Sequence, residues 1–336
     1  MTPQSRFSLI ANMGERIHDC LKTYIPDGPI ALVDFPDIRN VGDSAIWLGE
    51  MAYLASRFGK APAYVSTMHD FSASALEREV PSGPIFIHGG GNFGDIWGAH
   101  QTFRERIIDR WPDRRIIQFP QSIHYQSQAK ADQTARVIGR HKDFVLLVRD
   151  EESRSFAEAK FDCTVMLCPD MAFCIGAVQP TAQIACSVLA MLREDREKVG
   201  GYDLPARHGL LVEDWITESR LSIKRAKAAG MASALSTFSW QKMTAAKLNA
   251  AAQARFARGV RQLSRGRAIV TDRLHVHIVS LLLGKPHAVL DNSYGKIRRF
   301  MATFSGDNDL SYQAASLDDA IEWAADVGRT ARPSSV

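Results

Sequence analysis

The chain lacks a long apolar run. Its first twenty residues, MTPQSRFSLIANMGERIHDC, hold only a short apolar stretch before polar groups resume. That is too short for a signal-peptide core, and the apolar runs elsewhere are too short to span a bilayer. A cytoplasmic protein is expected, with peripheral contact at the inner membrane face left open. Cysteine is sparse: Cys20, Cys163, Cys168, Cys174 and Cys186 are odd in number and contain no CxxC pair. The histidines do not fall at finger spacing, so a disulfide framework and a zinc finger are both disfavoured and reduced thiols are expected. Charge of one sign is also lacking. The 41 Lys and Arg against 37 Asp and Glu leave +4, which permits an anionic ligand without marking a nucleic-acid binder. No segment is of low complexity.

What is present is a repeated strand, polar turn and helix. At 336 residues the chain exceeds the size of a single growing core, so two domains are expected. Residues 1–28 read as a leading helix, with Leu9, Met13, Ile17 and Leu21 at four-residue spacing. Apolar runs at 29–35, 63–66, 84–88, 115–119, 144–148 and 166–168 read as buried strands. Each of several strands ends in a polar cluster: Asn40 to Asp43, the loop Gly89-Gly90-Gly91-Asn92-Phe93-Gly94-Asp95, Gln121 to His124, and Arg149-Asp150. Open α/β sheets bind ligands at that edge. The stretch Pro180 to Gln183 is the expected linker. Beyond it the pattern restarts, with strands at 185–192 and 210–215 and helices at 223–235 and 241–263. A polar excursion at 196–208 lies between those strands. The predicted organisation is an α/β fold of two Rossmann-like domains facing a cleft, residues 1–180 and 181–327, with a polar tail at 328–336.

The second half contains the segment AIVTDRLHVHIVSLLLGKPHAVL at 268–290, which reads as a βαβ unit with Thr271-Asp272 capping its helix. His275 and His277 tempt a metal reading, but residues two apart on a helix point about 200° apart and cannot share one ion. No metal site is expected. His277 reads as a core histidine. His275, beside Asp272 and Arg273 at a strand end, is the candidate functional group. The helix N-terminus is expected to lower its pKa and a bound polyanion to raise it again, which suits a general acid. Gly89-x-Gly91-x-x-Gly94 satisfies the dinucleotide fingerprint literally, yet it does not follow the first strand, and no acid follows to hold a ribose. A packing turn, or a loop lying against a sugar or anion, are the other readings. Arg255, Arg258, Arg261 and Arg265 form a basic stripe, either a solvated face or a contact for an anionic membrane surface or lipid pyrophosphate.

Taken together, these segments resemble the polysaccharide pyruvyl transferases across roughly residues 29–300. The carrying motifs are Asn40-Val41-Gly42-Asp43, His88 to Asp95, Pro120-Gln121-Ser122-Ile123-His124, Arg149-Asp150 with Ser153, Pro169-Asp170-Met171-Ala172, and Thr271-Asp272-Arg273-Leu274-His275 with Gly284-Lys285-Pro286. One departure is His277, where the family commonly has glycine. The resemblance implies a GT-B-like domain pair that transfers the pyruvyl group of phosphoenolpyruvate to a sugar as a cyclic ketal, with phosphate released. The acceptor would be an exopolysaccharide or cell-surface glycan precursor, lipid-linked in many members. No cofactor is implied beyond the co-substrate phosphoenolpyruvate. His275 would protonate the donor, and Asp43 or Asp95 would activate a hydroxyl. Arg193, Arg273 and Lys296 would bind the donor, since guanidinium forks suit carboxylate and phosphate. Asn40, Gly89, Gly90, Gly91, Asn92, Gln121 and His124 would hold the acceptor. The oligomeric state is open. A GT-B glycosyltransferase using a nucleotide sugar, or a non-catalytic polysaccharide-assembly factor, are the alternatives.

Overall fold

A computed structural model describes residues 3–193, 209–215, 217–291, 295–306 and 308–330. The polar excursion expected at 196–208 lies outside the described residues, as do most of the tail and Asn292 to Tyr294. The first half carries β1 (Ala31–Val33), β2 (Tyr64–Val65), β3 (Ile85–Ile87), β4 (Gly90–Gly94), β5 (Ile116–His124), β6 (Phe144–Val148) and β7 (Thr164–Leu167). They form one parallel sheet in the order β2-β1-β3-β5-β6-β7, with β4 pairing β5. The second half carries β8 (Cys186–Met191), β9 (Leu210–Glu213), β10 (Gly266–Thr271), β11 (His287–Val289) and β12 (Ser311–Gln313). These make a second parallel sheet in the order β12-β11-β10-β8-β9. Both orders reverse direction beside the first strand of their own half, the topological switch where α/β sheets leave a crevice.

The helices are α1 (Pro3–Leu21), α2 (Val41–Arg57), α3 (Ala73–Glu79), α4 (Gly98–Arg110), α5 (Gln128–Ile138), α6 (Glu151–Lys160), α7 (Arg220–Ser233), α8 (Trp240–Ser264), α9 (Leu274–Leu283), α10 (Lys296–Phe300) and α11 (Leu317–Thr330). Among the described residues, no helix is long and apolar enough to cross a membrane. Most strands predicted from apolar runs are present with ends trimmed by a residue or two, but β5 runs on through the polar cluster to His124 and β7 begins two residues before the run read for it. The glycine loop differs: Gly90 to Gly94 is itself a strand, running parallel to the far end of β5. Its glycines hid it, because strand propensity rests on side chains that glycine lacks.

The largest apolar cluster ignores the division between halves. Leu32, Phe35, Trp47 and Phe119 from the first half share it with Leu248, Leu274, Ile278, Leu281 and Phe300 from the second. Helix α1 closes this cluster with Met13, Ile17 and Leu21 of the predicted four-residue series, and with Ile10, while Leu9 is only partly buried against it. The Arg6 guanidinium donates to the Leu283 carbonyl at 2.9 Å, tying α1 to α9. The connecting segment is held too: Val178 N–H donates to Leu282 O at 2.9 Å, and Thr181 N–H to Ser264 Oγ at 3.0 Å. The sheets therefore meet across a packed floor, and the space between them opens only at the strand ends.

A shared core predicts one cooperative unfolding event. Leu281→Ala removes a fully buried side chain from that floor and is expected to cost about 2–5 kcal/mol. Calorimetry should show a single shifted peak; two resolved peaks would mean that the halves unfold separately.

Candidate active site

The C-terminal ends of both sheets face a cleft of about 920 Å³. Two helix N-termini meet at its base, α2 from the first half and α9 from the second. Asn40 caps α2, its side-chain oxygen accepting from Gly42 N–H at 3.1 Å. A Cβ on Gly42 would lie 2.4 Å from His275 Nδ1, so only glycine lets the imidazole sit against the α2 backbone. The first N–H groups of α9, at Leu274 and His275, have no intrahelical acceptor and belong to residues lining the cleft. Thr271-Asp272 does not cap α9 as expected. Arg273 occupies the cap position without a side-chain cap bond, while Thr271 Oγ1 accepts from Arg273 N–H and donates to Met191 O. Asp272 turns instead to β8, accepting from Arg193 N–H at 2.9 Å.

Asp170 lies behind His275, almost fully buried after β7. Its Oδ1 accepts from Ala172 N–H at 2.9 Å. Its Oδ2 accepts from Arg149 Nη1 at 2.5 Å and lies 3.4 Å from His275 Nε2. Burial opposes the charge on Asp170, yet His275, Arg149 and the Ala172 N–H together hold it well below the usual carboxylate range. Arg149 also donates to Ser122 Oγ at 3.0 Å. A Cβ on Gly91 would lie 3.0 Å from Arg149 Nη2 and 3.5 Å from Lys296 Nζ. Arg149 and Lys296, with Arg193 and Arg273, thus concentrate positive charge on one region of the cleft wall. Arg273 is also committed to Asp214, through Nη2 to Oδ2 at 2.7 Å and Nε to Oδ1 at 2.6 Å.

His100 also lines the cleft, with Asp34 behind it. Asp34, at the end of β1, adopts φ 72, a strained conformation for a residue with a side chain. Its Oδ1 is 2.7 Å from His100 Nδ1, which leaves the other ring nitrogen of a cleft-lining histidine for a ligand. Trp97, Ile38 and Met68 flank it.

Of the residues singled out from sequence, Asn40, Asp43, Gly91, Asn92, Arg193, Arg273, His275 and Lys296 line the cleft. Gly89, Gly90, Asn92 and Gln121 belong to the frame of the loop. Gly89 N–H donates to Glu50 Oε1 at 2.8 Å, and Gly90 reaches φ 131. Gln121 Nε2 donates to Asn92 Oδ1 at 3.0 Å, and Arg104 donates to the same oxygen at 2.8 Å. His124 lies at the far end of β5, and burial and then Lys296 push its imidazole down. Asp95 is occupied elsewhere: its two oxygens accept from Gln126 and Ser127 N–H groups at 2.9 and 2.8 Å. Neither His124 nor Asp95 lines the cleft. Sequence reasoning did not place Arg149, Asp170, Asp34 or His100 in the site. Arg149 and Asp170 sat inside recognised motifs at strand ends, which was signal enough; nothing local marks His100.

The basic stripe needs a correction. Arg255 is buried, donating to Glu218 and Asp37. Arg258 donates to the carbonyls of Thr217 and Arg39, and Arg265 pairs with Glu213. The first two fasten α8 to the cleft rim and the third holds it to β9, while Arg261 is exposed, so three of the four arginines are tied into the fold rather than forming a solvated face.

The sequence profile of the family described as polysaccharide pyruvyl transferase matches residues 40–294. Pyruvyl transferase 1 of Schizosaccharomyces pombe is 32% identical over 317 residues, 88% of this chain and 76% of that protein. A Bacillus subtilis protein named as a pyruvyl transferase, EpsO, is 29% identical over 313 residues, covering 89% of this chain and 92% of its own. A functionally uncharacterised Klebsiella pneumoniae protein has a similar fold, with a TM-score of 0.53 at 18% identity over 90% of this chain and 99% of its own.

His277, one turn behind the cleft, belongs to a buried chain of hydrogen bonds. His287 Nδ1 can only donate to Lys285 O, at 2.8 Å. Its Nε2 then accepts from His277 Nδ1 at 2.7 Å, and His277 Nε2 accepts from Ser305 Oγ at 2.8 Å. With both rings neutral every link is satisfied. Burial pushes His287 down to about 4 and His277 well below its ordinary value, with His287 adding to the latter. The folded state therefore resists protons that the unfolded chain accepts below about pH 6.5. Stability is full above that pH and falls as pH drops toward 4, by on the order of 2 kcal/mol at pH 5 from His287 alone. Urea midpoints at pH 7.5 and 5.0 should differ accordingly, and less so in His287→Gln; equal midpoints in the wild type would refute the neutral chain.

Proposed function

The chain belongs to the polysaccharide pyruvyl transferase family, and we propose that it moves the pyruvyl group of phosphoenolpyruvate onto a sugar of an exopolysaccharide or cell-surface glycan precursor. The product is a cyclic ketal and the by-product is phosphate. The observation that carries this reading is the Arg149–Asp170–His275 cluster beside Lys296 and the α9 N-terminus. It offers cations for a donor with two anionic groups, and a histidine next to them to move a proton.

In this reading the halves act as a GT-B-like pair, 1–180 toward the acceptor and 181–327 toward the donor, with Arg149 and Asp170 crossing over from the acceptor half. Arg149, Lys296 and Arg193 grip carboxylate and phosphate, and the N–H groups of Leu274 and His275 add partial positive charge. Arg273, already paired with Asp214, shapes that wall. His275 gives its proton to the methylene carbon of phosphoenolpyruvate, leaving an oxocarbenium-like centre at C2. Asp170 fixes the ring and balances its charge. A sugar hydroxyl then bonds to C2, the C–O bond to phosphate breaks, and a second hydroxyl closes the ketal. The two hydroxyl protons balance the proton gained by carbon and the one carried off on phosphate.

The acceptor wall suits a sugar. Trp97 presents an apolar face at the cleft, and His100, oriented by Asp34, is placed to take a hydroxyl proton. Asp43, in the first turn of α2, is the carboxylate available there; Asp95, engaged with backbone, has no part in the step.

His275→Gln is expected to lower turnover about 10²- to 10⁴-fold while phosphoenolpyruvate still raises the melting temperature. Arg149→Lys, which loses the guanidinium fork, should instead weaken that thermal shift and raise KM. His100→Ala should slow transfer with the shift intact. Stabilisation by nucleoside diphosphates but not by phosphoenolpyruvate would overturn the assignment in favour of a nucleotide-sugar enzyme.

A further inference from the structure

Helices α7 and α8 pack as a hairpin whose tip takes no part in the cleft. Between them Leu235 is 57% exposed, Phe238 97% and Trp240 68%, and Met243 joins them in one shallow apolar patch. Phe238 also holds φ 50, a left-handed conformation that costs an aromatic residue energy and turns it outward. Exposed single apolar residues are ordinary; three large ones gathered on a strained turn are not.

The charge around this tip is one-sided. From Ser219 to Thr271 the sequence contains no aspartate or glutamate, while Lys and Arg occur throughout. Some of these cations are taken: Lys227 by Asp37, Lys247 by Asp70, Arg255 by Asp37 and Glu218, and Arg265 by Glu213. Lys242 beside the tip, and Lys224 and Arg225 about 15 Å back along α7, are exposed and, among the described residues, form no ion pair. The hairpin also starts at the cleft, since Arg220 lines it. The tip lies about 20 Å further along α7, at 1.5 Å per residue.

We propose that the α7–α8 tip docks on an anionic lipid bilayer. Leu235, Phe238 and Trp240 enter the headgroup boundary, where amphipathic aromatic rings partition. Lys224, Arg225 and Lys242 face the negative surface. Docked this way, the mouth of the cleft stands close to the membrane, within reach of a lipid-linked substrate. The docking does not depend on the transfer chemistry and is tested without it.

The test is co-sedimentation of the full chain with vesicles of phosphatidylcholine containing 30% phosphatidylglycerol, alongside vesicles of phosphatidylcholine alone. The wild type should bind the anionic vesicles, and added salt should release it. The variant Leu235→Ser/Phe238→Ser/Trp240→Ser should bind at least tenfold more weakly. Lys224→Gln, Arg225→Gln and Lys242→Gln should each lose about fivefold. The serine variant should keep the wild-type melting temperature, because its changes are on the surface. Wild-type protein left in the supernatant, or a serine variant that sediments equally, overturns the proposal. A wild-type dimer in solution that the serine variant converts to monomer does so too, because the patch is then covered by a second copy.

Discussion

The site depends on one buried carboxylate. Asp170 is charged, almost fully desolvated and shared between Arg149 on one side and His275 on the other. A buried charge is tolerated only when it is paired and hydrogen-bonded, and here the partners come from both halves of the chain. Arg149 and Asp170 follow β6 and β7, while His275 opens α9. The electrostatic need of a single group therefore fixes how the two sheet edges meet. Gly42 completes the constraint, because the imidazole lies where a side chain at position 42 would have to be.

Such a centre needs a rigid floor. A 3.4 Å contact between elements from different halves keeps its geometry only if those halves cannot slide. The apolar cluster that joins α1, α2, α8 and α9 provides this. Arg255 and Lys227 add a second tie by reaching across to Asp37 at the rim. The groups that hold ligand then sit at strand ends and helix starts, where backbone N–H groups are unpaired. The groups that give rigidity lie one layer below.

Much of this was legible in the residues, because the fold writes itself in short-range pattern. Buried parallel strands read as continuous apolar runs, and the 144–148 run matches β6 at both ends. His275 stood out because a titratable group opened an apolar helix at a strand end. Two kinds of feature did not show. The glycine-rich β4 carries almost no side chains to pattern, so it read as a loop. Contacts made across long sequence distances, such as Asp34 with His100 or Arg255 with Asp37, leave no local periodicity. For the same reason the arginines of α8 looked like a solvated stripe. Their spacing puts Arg255 and Arg258 on one side of a helix, but only the tertiary fold shows that this side meets Asp37, Glu218 and the Thr217 carbonyl.

The central claim is that an acid in this cleft, His275, protonates the methylene carbon of the donor before the sugar attacks. Its most direct test is the deuterium content of the ketal methyl group after turnover in D2O, read by mass spectrometry. A histidine proton exchanges with solvent, so the account predicts one deuterium per pyruvyl methyl. A pyruvylated product whose methyl group carries no deuterium from solvent would contradict it.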